Sequence, residues 1–460
     1  MSRSRFGVLT AAVASSLCVG LFGGLANAET LSEALAKAYL SNPTLLAARA
    51  RLRAIDEGVP EAVSGWRPTV SLNYDVGKSY SDTSGGSSSG SGAQNRSPRT
   101  GSLSLDQNVY RGGRTQSAIR RAEQDVLAER ARLATTEQQI MLDGGTAFVD
   151  VLRDEAVLKL NQNNERVLRR QLEATRDRFQ VGEVTRTDVA QAESRLARAT
   201  AERIQSEGTL AQSRAAYQDV MGDFPGTLEP TKPLGDVPTS QKDAVNQARA
   251  RSPEVITARF TERAAAADID VVRGELYPTL NLEGDLARNN DTSSTDSRRD
   301  AASITARFSL PLYQAGGVSA RIRAAKQTHS QRRKELDAAI RTVIASATSA
   351  WENYQTAVAQ IKAFSAEVRS ATIALEGVRQ EAQVGSRTVL DVLDAEQELL
   401  DARVSLVRAQ RDEAVSTFSV RQQIGTLVAA RLGLSVPTYD FEAYYKKVRN
   451  KWFGWGIGGK

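Results

Sequence analysis

The chain has 460 residues, a net charge of +6, one cysteine and one histidine. Basic and acidic residues are interspersed along it, so the basic balance does not indicate a nucleic-acid-binding surface. A mature chain without Cys18 cannot use cysteine chemistry. Because His329 is the single histidine, sites that need several histidines and histidine-dependent catalytic triads are also not expected. We therefore expect no cofactor, no metal site and no nucleic-acid partner, and a protein that is not an enzyme.

The N-terminal stretch has the pattern of a secretory signal peptide. Arg3 and Arg5 precede a mostly apolar run that ends at Ala26-Asn27-Ala28, which is an A-x-A cleavage site. The alternative is an N-terminal membrane anchor, but the apolar run is shorter and richer in Gly and Ser than a spanning helix requires. We expect residues 1–28 to be removed, and Cys18 with them.

Two long proline-free stretches, residues 99–224 and 312–436, are rich in residues that favour helix. Within the first, an apolar residue recurs every seven positions, at Ile119, Val126, Leu133, Ile140 and Ala147. A strict seven-residue period predicts left-handed supercoiling against neighbouring helices. The pair Gly144-Gly145 is a candidate interruption of this first long helix.

The two proline-free stretches match each other at a constant offset of 203 residues, as Tyr110 matches Tyr313. Farther upstream the offset is 210, and the pattern as a whole indicates a tandem duplication. In the second half His329 occupies the heptad position that Val126 fills in the first. We therefore expect this histidine in a helix seam rather than at a ligand site.

The order of these patterns divides the chain into four parts. Residues 1–28 form the signal peptide, and residues 437–460 form a C-terminal tail. The first repeat, 29–239, has predicted helices at about 33–64, 111–180 and 185–222 and strands within about 66–110. The second repeat, 240–436, has predicted helices at about 240–276, 314–383 and 388–427 and strands within about 278–313.

Each half also contains a pair of segments in which apolar and polar residues alternate, the pattern of strands with one apolar face. A polar loop joins the members of each pair, Ser79–Arg99 or Arg288–Asp300. Four aromatic residues lie near the strand ends opposite these loops, namely Trp66, Tyr110, Tyr277 and Tyr313. They could form one interfacial belt in a membrane. The alternative is two soluble hairpins packed on a helix.

Four strands cannot close a membrane barrel, because the smallest common barrels have about eight. Open sheet edges are not tolerated in lipid, so a membrane role requires several chains. Three chains would supply twelve strands, and the helices would continue the same symmetry as a hollow coiled-coil cylinder. The residues alone indicate an oligomer strongly and a trimer only weakly.

A Val-Gly break stands between the long helical segments of each half, at Val181-Gly182 and Val384-Gly385. The second is followed by Ser386-Arg387-Thr388-Val389-Leu390-Asp391-Val392-Leu393-Asp394. Together with the signal peptide, the duplication and Leu310-Pro311-Leu312-Tyr313-Gln314-Ala315-Gly316-Gly317, this segment closely resembles the TolC family of outer-membrane channel-tunnel proteins. The resemblance covers the mature chain to about Leu427.

The resemblance implies an α+β membrane protein of the bacterial outer membrane that extends into the periplasm. It implies a homotrimer in which four antiparallel strands per chain complete a 12-strand β-barrel, continued by a long α-helical coiled-coil tunnel. Such a channel passively exports drugs, secreted proteins or both. An inner-membrane pump and a periplasmic adaptor, or membrane fusion protein, hand the substrates over.

The resemblance also implies roles for residues at the helix tips. Arg387 would latch the entrance shut on Thr187 and Asp188, with Gln171 and Asp337 as a weaker pair and Asp337 standing where the family type has Glu. Asp391 and Asp394 would ring the entrance and attract cations. Val181, Gly182, Val384 and Gly385 would contact the adaptor. The chain departs from the family at Ala382, where a latch tyrosine is expected.

Other interpretations compete with these. Arg387 and Asp188 are alternatively ordinary surface charges, and Asp188 and Asp391 are alternatively residues that favour a helix start. A trimeric coiled-coil surface adhesin with a β-barrel anchor also combines such elements. However, an adhesin places one strand block at its C-terminus, whereas here two strand pairs lie between helices. A further alternative is a peptidoglycan hydrolase, but the sequence shows no recognisable pair of catalytic carboxylates.

Overall fold

The computed structural model describes residues 28–83 and 92–456. The predicted signal peptide, apart from Ala28, therefore lies outside the described residues. The helices of the first half are α1 Leu31–Ser41, α2 Pro43–Asp56, α3 Gly58–Ser64, α4 Arg114–Gln180 and α5 Arg186–Met221. Those that follow are α6 Gln241–Arg251, α7 Pro253–Arg273, α8 Gly317–Gln383, α9 Val389–Gln423, α10 Ala429–Leu432 and α11 Ala443–Val448.

The strands are β1 Thr69–Val76, β2 Ser79–Thr83, β3 Gly92–Arg96, β4 Arg99–Arg111, β5 Thr279–Asn290 and β6 Arg298–Ser309. Part of the predicted loop Ser79–Arg99 is thus the small antiparallel pair β2–β3. The apolar alternation continues past Ser309 to Leu312, but the strand stops because Pro311 cannot donate a ladder hydrogen bond.

The predicted helix at 33–64 is three helices, and the predicted helix at 240–276 is α6, α7 and a short 3₁₀ turn, Gly274–Leu276. Two of the breaks coincide with prolines at the first position of α2 and α7, where a missing N–H costs nothing. Asn42 makes the first break well defined, because its side chain accepts hydrogen bonds from the N–H groups of Thr44 and Leu45.

The long helices α4 and α8 contain 67 residues each, which corresponds to about 100 Å. The predicted interruption at Gly144-Gly145 is absent, and α4 runs through the pair without a break. A Cβ at Gly144 would lie 3.0 Å from Leu35, and a Cβ at Gly145 would lie 2.8 Å from the Phe418 ring. The glycines therefore serve close packing rather than bending.

The helices pack as two long hairpins, α4 with α5 and α8 with α9, while α7 contacts both α4 and α8. The heptad positions of α4 from Val126 to Ala147 are buried, as their period predicts. The partly buried His329 contacts Glu262 of α7, with Nε2 and Oε1 2.6 Å apart. The histidine thus lies in a helix seam, as expected.

The four-stranded sheet has the order β1-β4-β5-β6, and all neighbouring strands are antiparallel. Residues that pair across it share one face, so Leu72, Leu103, Leu286 and Ala302 form an apolar row. Ser71, Ser104, Asp285 and Ser303 form a polar row on the other face. In β4, Gln107 keeps the regular pairing with Leu282 and is therefore a polar residue on the apolar face. The β-bulge that follows, between Asn108 and Tyr110, places Tyr110 opposite Leu280.

Among the described residues, no helix combines the length and the apolar character that crossing a bilayer requires.

Candidate functional site

Two helix tips, residues 178–188 and 381–391, have the same backbone geometry. In the first tip the N–H of Gly182 donates to the carbonyl of Phe179 (3.0 Å), and the N–H of Glu183 donates to that of Arg178 (2.9 Å). Gly385 and Ser386 repeat both bonds in the second tip. This is the Schellman termination, which needs a left-handed residue, and the two glycines have φ of 82° and 81°.

The next helix of each tip begins with a capping box. The hydroxyl of Thr185 accepts from the N–H of Asp188, whose carboxylate accepts from the N–H of Thr185 at 2.8 Å. Thr388 and Asp391 form the same pair at the start of α9. Hydrogen bonds from the backbone and hydroxyl of Thr388 hold the pKa of Asp391 below its ordinary value. The helix-start interpretation of Asp188 and Asp391 is therefore confirmed.

Arg387 lies within its own tip. Its Nε–H donates to Oε2 of Glu381 at 2.8 Å, and the guanidinium is about half exposed. The structure of this single chain does not bring Arg387 to Thr187 or Asp188; Thr187 is exposed on the first turn of α5. Its role as a latch thus stays a prediction.

The two hairpins are joined instead by Arg195 of α5 and Asp394 of α9, which form an ion pair. Beside it, Leu393 is buried in an apolar cluster with Leu168 of α4 and Ala199 of α5. The predicted ring residue Asp394 therefore has a cationic partner within its own chain, next to the place where α9 packs on the first hairpin.

Each hairpin also carries an ion pair just above its tip. Arg176 pairs with Glu193 at 2.7 Å between α4 and α5, and Arg379 pairs with Glu396 between α8 and α9. These residues stand 203 positions apart, so the offset of the repeat contained a signal for them. Arg195 had no such signal, because its counterpart is Glu398.

The remaining predicted tip residues are on the helices above. The carbonyl of Gln171 accepts from the hydroxyl of Thr175 (2.8 Å), and Asp337 is exposed and lies 3.7 Å from Lys334. Gln171 and Asp337 do not contact each other in this chain. Gln171 lies near the tip end of α4, whereas Asp337 lies about 70 Å from the tip end of α8, so the helix bounds do not support the predicted pair. Val181 and Val384 are exposed at the extreme ends of the hairpins.

The helix-facing end of the sheet is a second region of interest. Trp66 precedes β1, Tyr110 lies in β4, Tyr277 precedes β5 and Tyr313 follows β6, and all four rings are exposed. The antiparallel register puts these positions at the same end of the sheet. The described residues contain no group of three or more acidic, histidine or cysteine side chains that could hold a metal ion.

Comparison with known proteins gives a consistent result. Residues 34–223 and 244–426 match the family model described as outer membrane efflux protein. The outer membrane efflux protein BepC of Brucella suis biovar 1 (strain 1330) is 33% identical over 94% of this chain and 93% of its own length. The outer membrane protein TolC of Salmonella enteritidis is 28% identical, over 91% and 87%.

Among solved structures, the CmeC outer membrane channel of Campylobacter jejuni has the same fold. Its TM-score is 0.79 at 14% sequence identity, and the match covers 97% of this chain and 98% of that one.

Proposed function

Because this chain belongs to the outer membrane efflux protein family, we propose that it assembles as a homotrimeric duct for passive export across the outer membrane. Three four-stranded sheets close into one twelve-stranded barrel, and the helical hairpins form a tunnel into the periplasm. An inner-membrane pump hands its substrates, drugs or secreted proteins, to the duct through a periplasmic adaptor. The two halves of each chain derive from a tandem duplication.

The sheet carries this proposal. Its edge strands are β1 and β6, and both have solvent-exposed apolar side chains: Leu72 is 76% exposed and Ile304 is 83% exposed. A sheet with two free edges and an exposed apolar face is an aggregation hazard in water, and open edges are not tolerated in lipid. Closure with neighbouring copies pairs both edges, turns the apolar face to lipid and the polar face to a lumen.

The tips form the periplasmic entrance in this proposal. Asp391 and Asp394 contribute six carboxylates per trimer, a ring that attracts cations. In the closed state Arg195 pairs with Asp394 and ties one hairpin to the other. Arg387 with Thr187 and Asp188 remains a second latch that forms only in the assembled trimer. Val181, Gly182, Val384 and Gly385 present the ends of the hairpins to the adaptor.

Single-channel recording in planar bilayers tests the duct. We expect purified mature protein to give small, mostly closed, cation-selective conductance. Protein that inserts as a trimer and never conducts, even after the tip contacts are removed by substitution, contradicts the proposal. An anion-selective pore contradicts the carboxylate ring alone.

A further inference from the structure

The C-terminal tail after Pro437 follows a defined course along the helices. The backbone N–H of Tyr439 donates to the hydroxyl of Tyr39 at 3.0 Å. The hydroxyl of Tyr444 donates to Glu57 at 2.6 Å. Farther along, Arg449 pairs with Glu123 of α4 at 3.0 Å. These contacts hold residues 439–449 of the tail on α1, α2 and α4.

The next residues, Lys451 and Trp452, lie at the helix-facing end of the sheet. Arg67, two residues before β1, donates from Nη1 to the carbonyl of Lys451 at 2.7 Å. The same guanidinium lies 5.0 Å from the centre of the Trp452 ring, a cation–π contact. Lys451 and Trp452 are thereby held by the residue that follows Trp66, one of the four aromatic residues at this end of the sheet.

The side chains at this position are large, apolar and open. Trp452 is 65% exposed, Phe453 is 89% exposed and Trp455 is fully exposed. Leu312 and Tyr313, which follow β6 at the same end of the sheet, are equally open. Aromatic rings of this kind concentrate where a membrane protein meets the headgroup region.

Basic residues precede the aromatic ones in the tail. Lys446 and Lys447 are exposed on α11, and Arg449 and Lys451 follow within the next four residues. Lys446 and Arg449 have acidic partners in the chain, whereas Lys447 faces solvent. A short segment that combines Lys and Arg with Trp and Phe is typical of elements that lie in the plane of an anionic membrane surface.

We propose that residues 446–456, the aromatic–basic segment, bind the phospholipid headgroups of the leaflet that faces the helices. Trp452, Phe453 and Trp455 enter the boundary between headgroups and acyl chains, while the lysines lie among the phosphates. The inference rests on the proposed function, which sets the sheet in the membrane with this end toward the periplasm. Each trimer then has three such anchors around its barrel, in addition to the aromatic residues of the strand ends.

Quenching by brominated lipids tests the proposal on the full-length trimer in proteoliposomes. The chain has four tryptophans, and the variant Trp66→Phe/Trp351→Phe retains only Trp452 and Trp455. We expect bromine near the headgroup end of the acyl chain to reduce their emission about twofold, because interfacial rings lie about 5–10 Å into this boundary. Bromine near the bilayer centre should quench much less.

The matched control is Trp66→Phe/Trp452→Phe/Trp455→Phe, which keeps only the buried Trp351 of α8. Its emission should not respond to brominated lipid. If Trp452 and Trp455 are quenched only by aqueous iodide, the segment stays in water and the inference is wrong. If neither lipid nor iodide quenches them, they are buried against a neighbouring subunit, which also overturns it.

Conductance recorded from the same proteoliposomes separates this inference from the function it rests on. A conducting channel with unquenched tail tryptophans overturns the membrane contact alone. A trimer that does not conduct overturns the duct. Should Trp66→Phe fail to assemble, Trp452→Ser/Phe453→Ser/Trp455→Ser gives an independent readout. It should assemble and conduct, and brominated lipid should quench its emission less than that of the unmodified chain, with the remaining quenching due to Trp66; unchanged quenching contradicts the proposal.

Discussion

At the scale of single residues, Asp56 is a buried carboxyl group whose ionised form is disfavoured by its surroundings. Its side chain is 1% exposed, and neither carboxylate oxygen has a hydrogen-bond partner among the described residues. Burial, reinforced by the neighbouring Glu57, raises the pKa of Asp56 from 3.8 to about 6, against the attraction of Arg130. The fold thus favours the neutral acid.

The variant Asp56→Asn should be more stable than the parent at pH 7.5. A raised pKa contributes stability that is complete below pH 3.8 and is lost as the pH rises through about 6. Above pH 6 the buried charge costs at most about 3 kcal/mol, which a neutral amide of the same shape avoids. Thermal unfolding followed by circular dichroism should show a higher midpoint for the variant at pH 7.5.

At about pH 3.5 the difference between variant and parent should nearly vanish, because Asp56 is then mostly neutral in both the folded and the unfolded chain. Asp219→Asn, at an exposed position of α5, serves as the control and should change little at either pH. A variant less stable than the parent at pH 7.5 would mean that the carboxylate is stabilised by a group outside the described contacts.

The residue scale also marks the limit of sequence reasoning. Gly144-Gly145 reads as a helix interruption, because a glycine pair lowers helix propensity and nothing local reveals the Phe418 ring that needs the space. Arg195 has no local signal either, since its partner Asp394 lies 199 positions away. Contacts of this kind depend on how two hairpins meet, which residue types alone do not encode.

At the scale of elements, the tips are stabilised by hydrogen bonds between residues close together in the sequence. A Schellman termination and a capping box complete each turn within the five residues between the helices. Both depend on residue types that can be recognised in the sequence, Gly182 with Thr185 and Gly385 with Thr388. The helix bounds near the tips follow from them. The strands were predictable from their period, whereas the tail, which lacks any period, was not.

The ion pair between hairpins gives a prediction at this scale. Arg195→Ser should raise the open probability in planar bilayers, because it removes the ion pair between α5 and α9. It should also increase cation selectivity, because the carboxylate of Asp394 loses its cationic partner. Single-channel currents and reversal potentials in a salt gradient measure both effects.

Arg198→Ser is the matched control, since Arg198 pairs with Glu202 on its own helix at 2.8 Å. Arg387→Ser distinguishes the two latches. If only Arg387→Ser opens the channel, the entrance is held as in the family that the sequence resembles, and the pair Arg195–Asp394 is a static contact.

At the scale of the whole molecule, the number of subunits is the central prediction. The mature chain has no cysteine if residues 1–28 are removed, so single cysteines can be placed on both edge strands, as in Ser71→Cys/Thr305→Cys. A flexible bismaleimide should then produce covalent dimers and trimers and no larger species, because three sheets close the ring. The products are counted on a denaturing gel.

Each single-cysteine variant should yield at most dimers, which controls for random collisions. A ladder that extends beyond three subunits would contradict the trimer, and so would the absence of cross-links for several cysteine pairs along β1 and β6. Edge strands that stay free in the membrane would leave unpaired backbone groups in lipid, which is the outcome that physical chemistry disfavours most strongly.

The strand order has a consequence for how the molecule is made. Leu103 of β4 pairs with Leu286 of β5, so the central pairing of the sheet joins residues 183 positions apart, whereas each helical hairpin closes around a five-residue turn. Distant contacts form slowly because loop closure costs entropy before any contact rewards it. The hairpins are therefore able to fold as the chain emerges, while the sheet must wait for the second half. Until then the apolar strands must be kept from aggregating on the way to the outer membrane.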